Sequence, residues 1–323
     1  MIRRSRQSGG ALLAVMWVTA ALAAIAFSVA NSVRAETERT QTISEEVRAH
    51  YIATGAVERA LLYMFWGPQY RFPDGSPRFY EPGRSRLDFR FPSGPATVEI
   101  IPESSKISIN QAEPVDLIRL MVNLGVPPEG ATEITAGIVD WRTGSPGGAT
   151  PFDQFYLSRT PSFRARHASL EELEELLLVK GVTPELFYGS YVRDPQGRLM
   201  RRTGLKDCVS IYAVSNAVDV NTAEPAVLAT LGINPDVIAA LVQRRRAAPF
   251  RNMGEVQLFA QGAGPGIAKL RVGGGTMFTV RATAQLALPN GGLSDLRRTV
   301  SALVKFREPG FNPPYEILRW YDN

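Results

Sequence analysis

Residues 8–30 read SGGALLAVMWVTAALAAIAFSVA, an apolar run that follows directly on the short basic leader MIRRSRQ. No charged residue lies between Arg6 and Arg34. In a helix, which rises about 1.5 Å per residue, residues 11–30 are long enough to span the ~30 Å hydrocarbon core of a membrane. Because the arginines precede the apolar run, the positive-inside rule predicts a cytoplasmic leader and places the chain after the run on the opposite side of the membrane.

The junction Ser8-Gly9-Gly10-Ala11 bears on what kind of N-terminal segment this is. A cleaved secretory signal has an apolar region of about 7–15 residues before its cleavage site, and the run here is longer. A basic leader that ends in glycine just before the apolar run resembles a class III, prepilin-type signal, which is cut before its hydrophobic segment. The sequence favours the prepilin-type signal and leaves a plain anchor and a cleaved signal open.

The helix is predicted to continue beyond the membrane. Apolar residues recur at three- and four-residue steps until Gly67-Pro68, and glycine and proline are absent from residue 11 until Gly55. We therefore expect one helix over residues 11–66, about 84 Å long, rather than two separate helices. The apolar stripe that we expect to lie on a folded domain consists of Ile43, Val47, Tyr51, Thr54, Val57, Leu61 and Phe65.

Composition limits the remaining possibilities. The 323 residues suggest about two domains, and a chain that is 45% hydrophobic and 21% charged is neither disordered nor a polytopic membrane protein. The single cysteine, Cys208, excludes an intrachain disulfide. Three of the five net positive charges lie in the leader, and so the rest of the chain has no nucleic-acid signature in its net charge.

Alternating apolar residues predict strands on both sides of the middle of the chain. The alternation covers residues 87–91, 96–101, 278–282 and 300–306, and Asn290-Gly291-Gly292 supplies a turn between the last two segments. A long helix followed by separated antiparallel strands predicts an α+β fold in which the helix packs on the sheet.

An imperfect repeat lies between the two groups of strands. Residues 109–114 read INQAEP and residues 220–225 read VNTAEP, and an apolar helix follows each of them. Asn110 and Asn221 occupy the same position in the repeat. Since asparagine accepts hydrogen bonds from the free amides of a first helical turn, we expect both residues to cap the helices that follow.

Tandem helical hairpins of this kind resemble the helix-hairpin-helix or SAM-like class, which includes the module of membrane-anchored, competence-type DNA receptors. Gly262-Ala263-Gly264-Pro265 fits a hairpin whose amides approach a DNA phosphate. Charge argues against DNA, because residues 109–205 carry a net −2 and residues 219–273 carry +2, with Arg244-Arg245-Arg246 as the only strong basic cluster. A DNA receptor remains the alternative function.

The whole chain resembles the minor pseudopilin K family of the type II secretion system. The resemblance rests on the leader, the long helix, the flanking strands and the segments SINQAEP, GIVDWR, LEELLLVKGVTPELF and VDVNTAEPAVLATLGI. It implies an α+β, pilin-like fold with a large, mostly α-helical insert of SAM-like repeats. The implied divisions are a leader (1–9), the long helix (10–66), a loop and strands (67–108), a first SAM-like domain (109–205), a connecting strand and second repeat (206–273) and C-terminal strands (274–323).

The resemblance also implies a role. A prepilin peptidase would cut between Gly9 and Gly10, and the new N-terminus would be methylated. Other pseudopilins carry glutamate at the fifth mature position, which is Ala14 here, and a subunit without that carboxylate need not dock onto a subunit above it. The family thus implies a tip subunit that initiates or caps the pseudopilus, in the bacterial inner membrane with its bulk in the periplasm. Its implied partners are minor pseudopilins I and J, other pseudopilins, the prepilin peptidase and the inner-membrane assembly platform.

Few residues are available for catalysis or for a metal. The sequence has two histidines and lacks nucleotide-loop and nucleophile-elbow motifs, and so we expect neither an enzyme nor a cofactor. Members of the family can bind calcium through an acid-rich loop after the DWR segment. Here Asp140 and Asp153 are the only carboxylates of that loop, and they are the calcium candidates, although calcium takes about six to eight oxygens.

Overall fold

The computed structural model describes residues 8–213, 217–288, 291–308 and 310–322. Residues 1–7 of the expected leader and Asn290 of the expected turn lie outside the described residues. Helix α1 runs without interruption from Ser8 to Trp66, a length of about 88 Å, which confirms the prediction of one continuous helix. A turn follows at Gly67, where a Cβ would lie 2.5 Å from the carbonyl oxygen of Tyr80, so that only glycine fits there.

The other elements follow in a mixed order. The helices are α2 (Pro114–Asn123), α3 (Pro128–Arg142), α4 (Pro151–Leu157), α5 (Pro184–Tyr188), α6 (Leu205–Cys208), α7 (Pro225–Thr230), α8 (Pro235–Ala247) and α9 (Met253–Phe259). The strands are β1 (Arg86–Phe91), β2 (Gly94–Pro102), β3 (Ile107–Ser108), β4 (Ser190–Arg193), β5 (Leu199–Arg202), β6 (Val209–Ser210), β7 (Val218–Asp219), β8 (Leu270–Arg271), β9 (Met277–Ala287), β10 (Leu293–Phe306) and β11 (Tyr315–Asp322).

Five strands form one antiparallel sheet in the order β1-β2-β9-β10-β11. All four segments with predicted alternation belong to it, as β1, β2, β9 and β10. The C-terminal half of α1 packs across β2, β9 and β10. The expectation of a long helix on an antiparallel sheet is therefore confirmed, whereas the edge strand β11 was not predicted.

The face of α1 that packs on the sheet differs from the predicted stripe. Ile43, Val47 and Tyr51 are 50%, 49% and 71% exposed, and so the N-terminal half of the stripe was assigned wrongly. The buried face consists of Ala49, Ile52, Ala53, Ala56, Val57, Ala60, Leu61 and Met64. Its alanines allow the helix to approach the sheet closely, where Ala282 and Ala302 are also fully buried.

The region between β2 and β9 forms an insert at one end of the sheet. Ser93 and residues 286–288, at the other end, lie beside residues 33–48 of α1. The insert begins after Pro102, which pairs with Phe278 at the start of β9. It therefore leaves the sheet at the end farthest from the N-terminal half of α1.

The insert contains two copies of one arrangement. In the first copy, β3 pairs in parallel with β6, and α2 to α6 lie between these strands. In the second copy, β7 pairs in parallel with β8, and α7 to α9 lie between them. We call residues 107–210 the first copy and residues 218–271 the second copy. Helices α2 and α7 pack against each other, so that both copies share one hydrophobic core.

Candidate functional site

The N-terminal half of α1 projects away from the rest of the chain. Residues 10–44 are all exposed, and Glu45, which accepts a hydrogen bond from Ser294 Oγ at 3.0 Å, is the first α1 residue with a described side-chain bond to the sheet. Among the described residues, α1 is also the one helix long and apolar enough to cross a membrane. A projecting apolar helix in front of a folded body fits a single-pass membrane anchor.

The residues expected to be processed lie at the start of this helix. Gly9 and Gly10 are both within α1, and a Cβ on Gly10 would meet nothing within 4 Å. Ala14 is exposed one turn further along, inside the apolar stretch. Cleavage between Gly9 and Gly10 and the significance of Ala14 remain predictions.

A second exposed surface of α1 lies just beyond the apolar anchor. Ile43, Val47, Tyr51 and Gly55 follow one another at four-residue spacing, which puts them in a single row on the helix. The three apolar side chains are exposed, and a Cβ on Gly55 would meet nothing within 4 Å. Because an apolar row that ends in an open glycine allows another helix to approach closely, this assembly row is a candidate interface for helix packing.

The prediction that Asn110 and Asn221 cap helices was wrong. The N-cap residues of α2 and α7 are Glu113 and Glu224, each followed by a proline that has no amide to cap. The asparagine side chains bind distant backbone instead. Asn110 exchanges hydrogen bonds of 3.0 and 2.8 Å with the carbonyl and amide of Leu170, and Asn221 exchanges bonds of 2.9 and 2.8 Å with those of Phe250.

We call each of these two asparagine–backbone contacts a clasp. An arginine lies beside each clasp, and the sequence did not predict this role for it. Arg142 donates from its two terminal nitrogens to the carbonyl oxygens of Ile109 and Ala112, each at 2.5 Å. Arg245 donates to the carbonyl oxygen of Val220 at 2.7 Å. Burial lowers the pKa of both guanidinium groups. The only signal in the sequence was that Arg142 and Arg245 lie in the last turns of corresponding helices, α3 and α8.

The loop after α3 does not fit calcium. Asp153 is 3% exposed, and its carboxylate accepts hydrogen bonds from the amides of Thr150 (3.0 Å) and Ala165 (3.2 Å) and contacts His167 Nε2 (2.9 Å). The other ring nitrogen of His167 lies 3.1 Å from the carbonyl oxygen of Asp140. In the described part of the chain, no three His, Cys, Asp or Glu side chains cluster as metal ligands. Asp153 and Asp140 therefore supply no shared set of oxygens for a hard cation.

Protonation of His167 strengthens its contact with the Asp153 carboxylate. Burial works to raise the pKa of Asp153, but the hydrogen bonds from Thr150, His167 and Ala165 outweigh it and hold that pKa below its ordinary value. The hydrogen bond to Asp153 raises the pKa of His167 above 6.5. The imidazolium form of His167 consequently balances the buried carboxylate in this loop.

Gly262 and Gly264 of the glycine hairpin in the second copy are exposed, whereas the neighbouring Gly266 is buried against the protein. A Cβ on Gly264 would lie 3.2 Å from the carbonyl oxygen of Gly232, and one on Gly266 would lie 2.4 Å from that of Leu231. These glycines therefore allow two turns of the second copy to pack together. Of the basic cluster, Arg244 and Arg245 bind backbone carbonyls of the insert.

Comparison with known proteins finds matches to one family in two segments of the chain. Two family models, both described as type II secretion system (T2SS), protein K, match residues 102–188 and 218–280. These segments fall on the first copy and the second copy of the insert. No curated protein matches the sequence at a significant level.

A solved structure has the same fold. A chain of the GspK-GspI-GspJ complex from the enterotoxigenic Escherichia coli Type 2 Secretion System superposes with a TM-score of 0.58 at 18% sequence identity. The match covers 88% of this chain and 99% of that chain, and so it includes both the sheet and the insert. Both copies of the insert thus match the family models for type II secretion system protein K, and the superposition shows that the sheet and the insert together have the fold of a chain of that complex.

Proposed function

We propose that this chain is the tip subunit of a type II secretion pseudopilus, where it initiates or caps assembly for the export of folded proteins and catalyses no reaction. The observation that carries the proposal is the position of the insert. It leaves the sheet after Pro102, at the end farthest from the projecting half of α1. With α1 anchored in the inner membrane, the insert occupies the space into which a further subunit would have to stack.

The apolar half of α1 supports the same position. After cleavage between Gly9 and Gly10 and N-methylation, Ala14 becomes the fifth residue of the mature chain. A carboxylate at this depth needs a partner in the lipid, and in a growing pilus the N-terminus of a neighbouring subunit can provide it. Ala14 makes no such demand, and so this subunit can enter the membrane assembly without one above it.

The assembly row supports lateral partners. Its residues Ile43, Val47, Tyr51 and Gly55 lie on a side of α1 that the sheet leaves open. We propose that the helices of minor pseudopilins I and J pack here, as the composition of the GspK-GspI-GspJ complex suggests. Other pseudopilins and the inner-membrane platform would then join below, toward the membrane.

End labelling tests the position. An epitope placed in the exposed turn between β4 and β5 should mark one end of each pseudopilus in immunogold micrographs. The same epitope-tagged chain with Val47→Glu should still fold. Cells that make it should lose the filaments or the gold label at their ends, because the substitution puts a charge into the assembly row. Label along the shaft would contradict a tip position.

Measurement of the intact mass and of the N-terminal sequence tests the processing of the leader, and a DNA-binding assay tests the alternative of a DNA receptor. The chain from membranes that contain a prepilin peptidase should begin at Gly10 with an N-methyl group. A chain that still begins at Met1 would contradict processing. Filter binding of the full-length chain to DNA over several salt concentrations should give no steep salt dependence, whereas a steep negative slope would favour the DNA receptor.

A further inference from the structure

The hairpin formed by β4 and β5 presents apolar side chains to solvent on both of its faces. Within the described residues, these two strands pair only with each other. Tyr191 and Leu199, on one face, are 69% and 62% exposed, and Val192 and Met200 are exposed on the other face. Since a two-stranded hairpin with both faces in water is marginally stable, this exposure indicates a surface that a partner covers.

The base of the hairpin is fixed to the folded insert. Arg202, the last residue of β5, donates a hydrogen bond of 2.6 Å to the carbonyl oxygen of Leu124. A Cβ on Gly204 would lie 2.3 Å from the amide nitrogen of Gly189, so that the chain enters and leaves the hairpin through one tightly packed point. The exposed strands therefore have a set position, and binding does not have to order them first.

The outer edge of β4 presents unpaired backbone groups. The amide of Asp194 donates to the carbonyl oxygen of Arg198 at 2.9 Å, and in an antiparallel ladder the hydrogen-bonded pairs lie at every second position from there. Tyr191 and Arg193 occupy the intervening positions, and so their amides and carbonyls point away from β5. An open edge of this kind accepts an extended segment as an additional strand.

The charge of the hairpin indicates which kind of segment fits. Residues 190–202 contain four arginines and one aspartate, a net charge of +3, whereas residues 107–189 of the same copy contain six basic and eleven acidic residues, a net charge of −5. A second copy of this chain would bring two basic hairpins together, and like charges on paired strands destabilise the pair. The charge therefore favours an acidic strand from another protein.

The arginines also distinguish the two edges of the hairpin. On β5, Arg201 forms an ion pair with Asp207 at 2.6 Å. On β4, the exposed Arg193 donates to the carbonyl oxygen of Gly197 at 3.0 Å, and within the described residues no carboxylate lies at ion-pair distance from it. The charge of Arg193 is thus available to a partner at the open edge of β4.

We propose that β4 binds an extended segment of a partner protein in which acidic and apolar residues alternate. The main chain of the segment pairs with the backbone of Tyr191 and Arg193, and one of its carboxylates binds the Arg193 guanidinium. Because successive side chains of a strand point to opposite faces, the apolar residues of the segment then pack beside Val192. The hairpin belongs to the insert and the assembly row to α1, and so this binding is independent of the proposed tip position.

Peptide binding to the full-length chain in detergent, without an epitope, tests the proposal. The probes are three fluorescein-labelled peptides: Thr-Glu-Val-Glu-Val-Thr, its counterpart Thr-Gln-Val-Gln-Val-Thr, and the acidic peptide with its four central amides N-methylated. They are followed by fluorescence anisotropy at low ionic strength. We expect the acidic peptide to bind about five-fold more tightly than the glutamine peptide. N-methylation should weaken its binding about ten-fold, because it removes the main-chain donors.

Two arginine variants locate the binding. Arg193→Gln should weaken binding of the acidic peptide about three-fold and leave that of the glutamine peptide unchanged. The control Arg164→Gln removes an equal charge from an exposed residue of the same copy, in the loop after α4, and should change neither affinity. Since both arginines are exposed, both variants should unfold at the temperature of the parent chain.

Equal affinity for the acidic and glutamine peptides would overturn the proposal, and so would an N-methylated peptide that binds as tightly as its parent. An equal loss in Arg164→Gln and Arg193→Gln would show that the peptide responds to the net charge of the copy rather than to the edge of β4. A dimer in light scattering that Arg193→Gln strengthens would make a second copy of the chain the occupant. Either result would also overturn the proposal.

Discussion

The first and second copies of the insert close in the same way over different lengths of chain. In the first copy, Asn110 binds Leu170 across 60 residues, and in the second copy Asn221 binds Phe250 across 29 residues. Each copy begins and ends with a two-residue strand, and in each copy these two strands pair in parallel. An asparagine two residues after the first strand thus fixes a distant backbone segment in both copies, although the chain between the two contacts differs in length.

The environment of the clasp differs between the copies. Asn221 is 4% exposed and binds a Phe250 that is 1% exposed, whereas Asn110 is half-buried. The arginine next to the clasp shows the opposite trend, because Arg142 binds two carbonyl oxygens and Arg245 binds one. The second copy should therefore depend more on its asparagine, and the first copy more on its arginine.

Removal of the clasps should have the largest effect. Asn221→Ala should lower the free energy of opening of residues 218–271 by about 3 kcal/mol, since it leaves a buried amide and a buried carbonyl of Phe250 unpaired. Asn110→Ala should lower that of residues 107–210 by about 2 kcal/mol, because water reaches the half-buried site more easily. Hydrogen–deuterium exchange of the full-length chain, read by mass spectrometry, measures the two copies separately.

A surface cap provides the matched control for these variants. Asn252 accepts a hydrogen bond from the amide of Glu255 at the start of α9, and Asn252→Ala should cost only about 1 kcal/mol. If Asn221→Ala instead raised exchange equally in both copies, the shared core would make them one cooperative unit. The inference that each clasp stabilises its own copy would then be wrong.

Replacement of the arginines should give the next largest effect. Arg142→Met removes two charge-assisted hydrogen bonds and should destabilise the first copy by about 2 kcal/mol. Arg245→Met removes one such bond, and so it should cost about 1 kcal/mol. The same exchange measurement checks both variants, and a larger loss for Arg245→Met would reverse the ranking of the two copies.

Much of the fold could be predicted because its periods are long or regular. The continuous α1 and four sheet strands follow from breaker positions and from period-two alternation. Strand β11 was not predicted because a bulge opposite Leu303 and Val304 interrupts its alternation. Ile317 and Trp320 are three residues apart, yet they pair with β10 residues that lie on the same face of the sheet. The buried face of α1 was misassigned because alanine contributes little to an apolar pattern, although it permits the closest packing.

The role of individual side chains was harder to predict than their positions. The repeat correctly put Asn110 and Asn221 in equivalent places, but local helix chemistry suggested caps. Their actual partners, Leu170 and Phe250, are visible only after the chain has folded. The same holds for Asp153, which looked like a calcium candidate until its hydrogen bonds from Thr150 and Ala165 and its contact with His167 were known.

The smallest expected effect is a pH dependence confined to the first copy. His167 has a raised pKa in the folded chain, mainly through Asp153, with Asp140 as the other acidic neighbour. Its contribution to stability is therefore fully present below about pH 6.5, its unfolded value, and is lost as the pH rises through the higher folded value. His167→Gln should cost about 1 kcal/mol in the first copy at pH 5.5 and less at pH 8.

Exchange measurements at the two pH values, corrected for the intrinsic exchange rate, check this expectation. The second copy contains no histidine and provides the internal control, because its opening free energy should not follow the titration of His167. NMR titration of the imidazole signals, assigned with a His50→Gln variant, should give a value for His167 above 6.5. The same dependence on pH in the parent chain and in His167→Gln would show that another group titrates, and it would remove this difference between the copies.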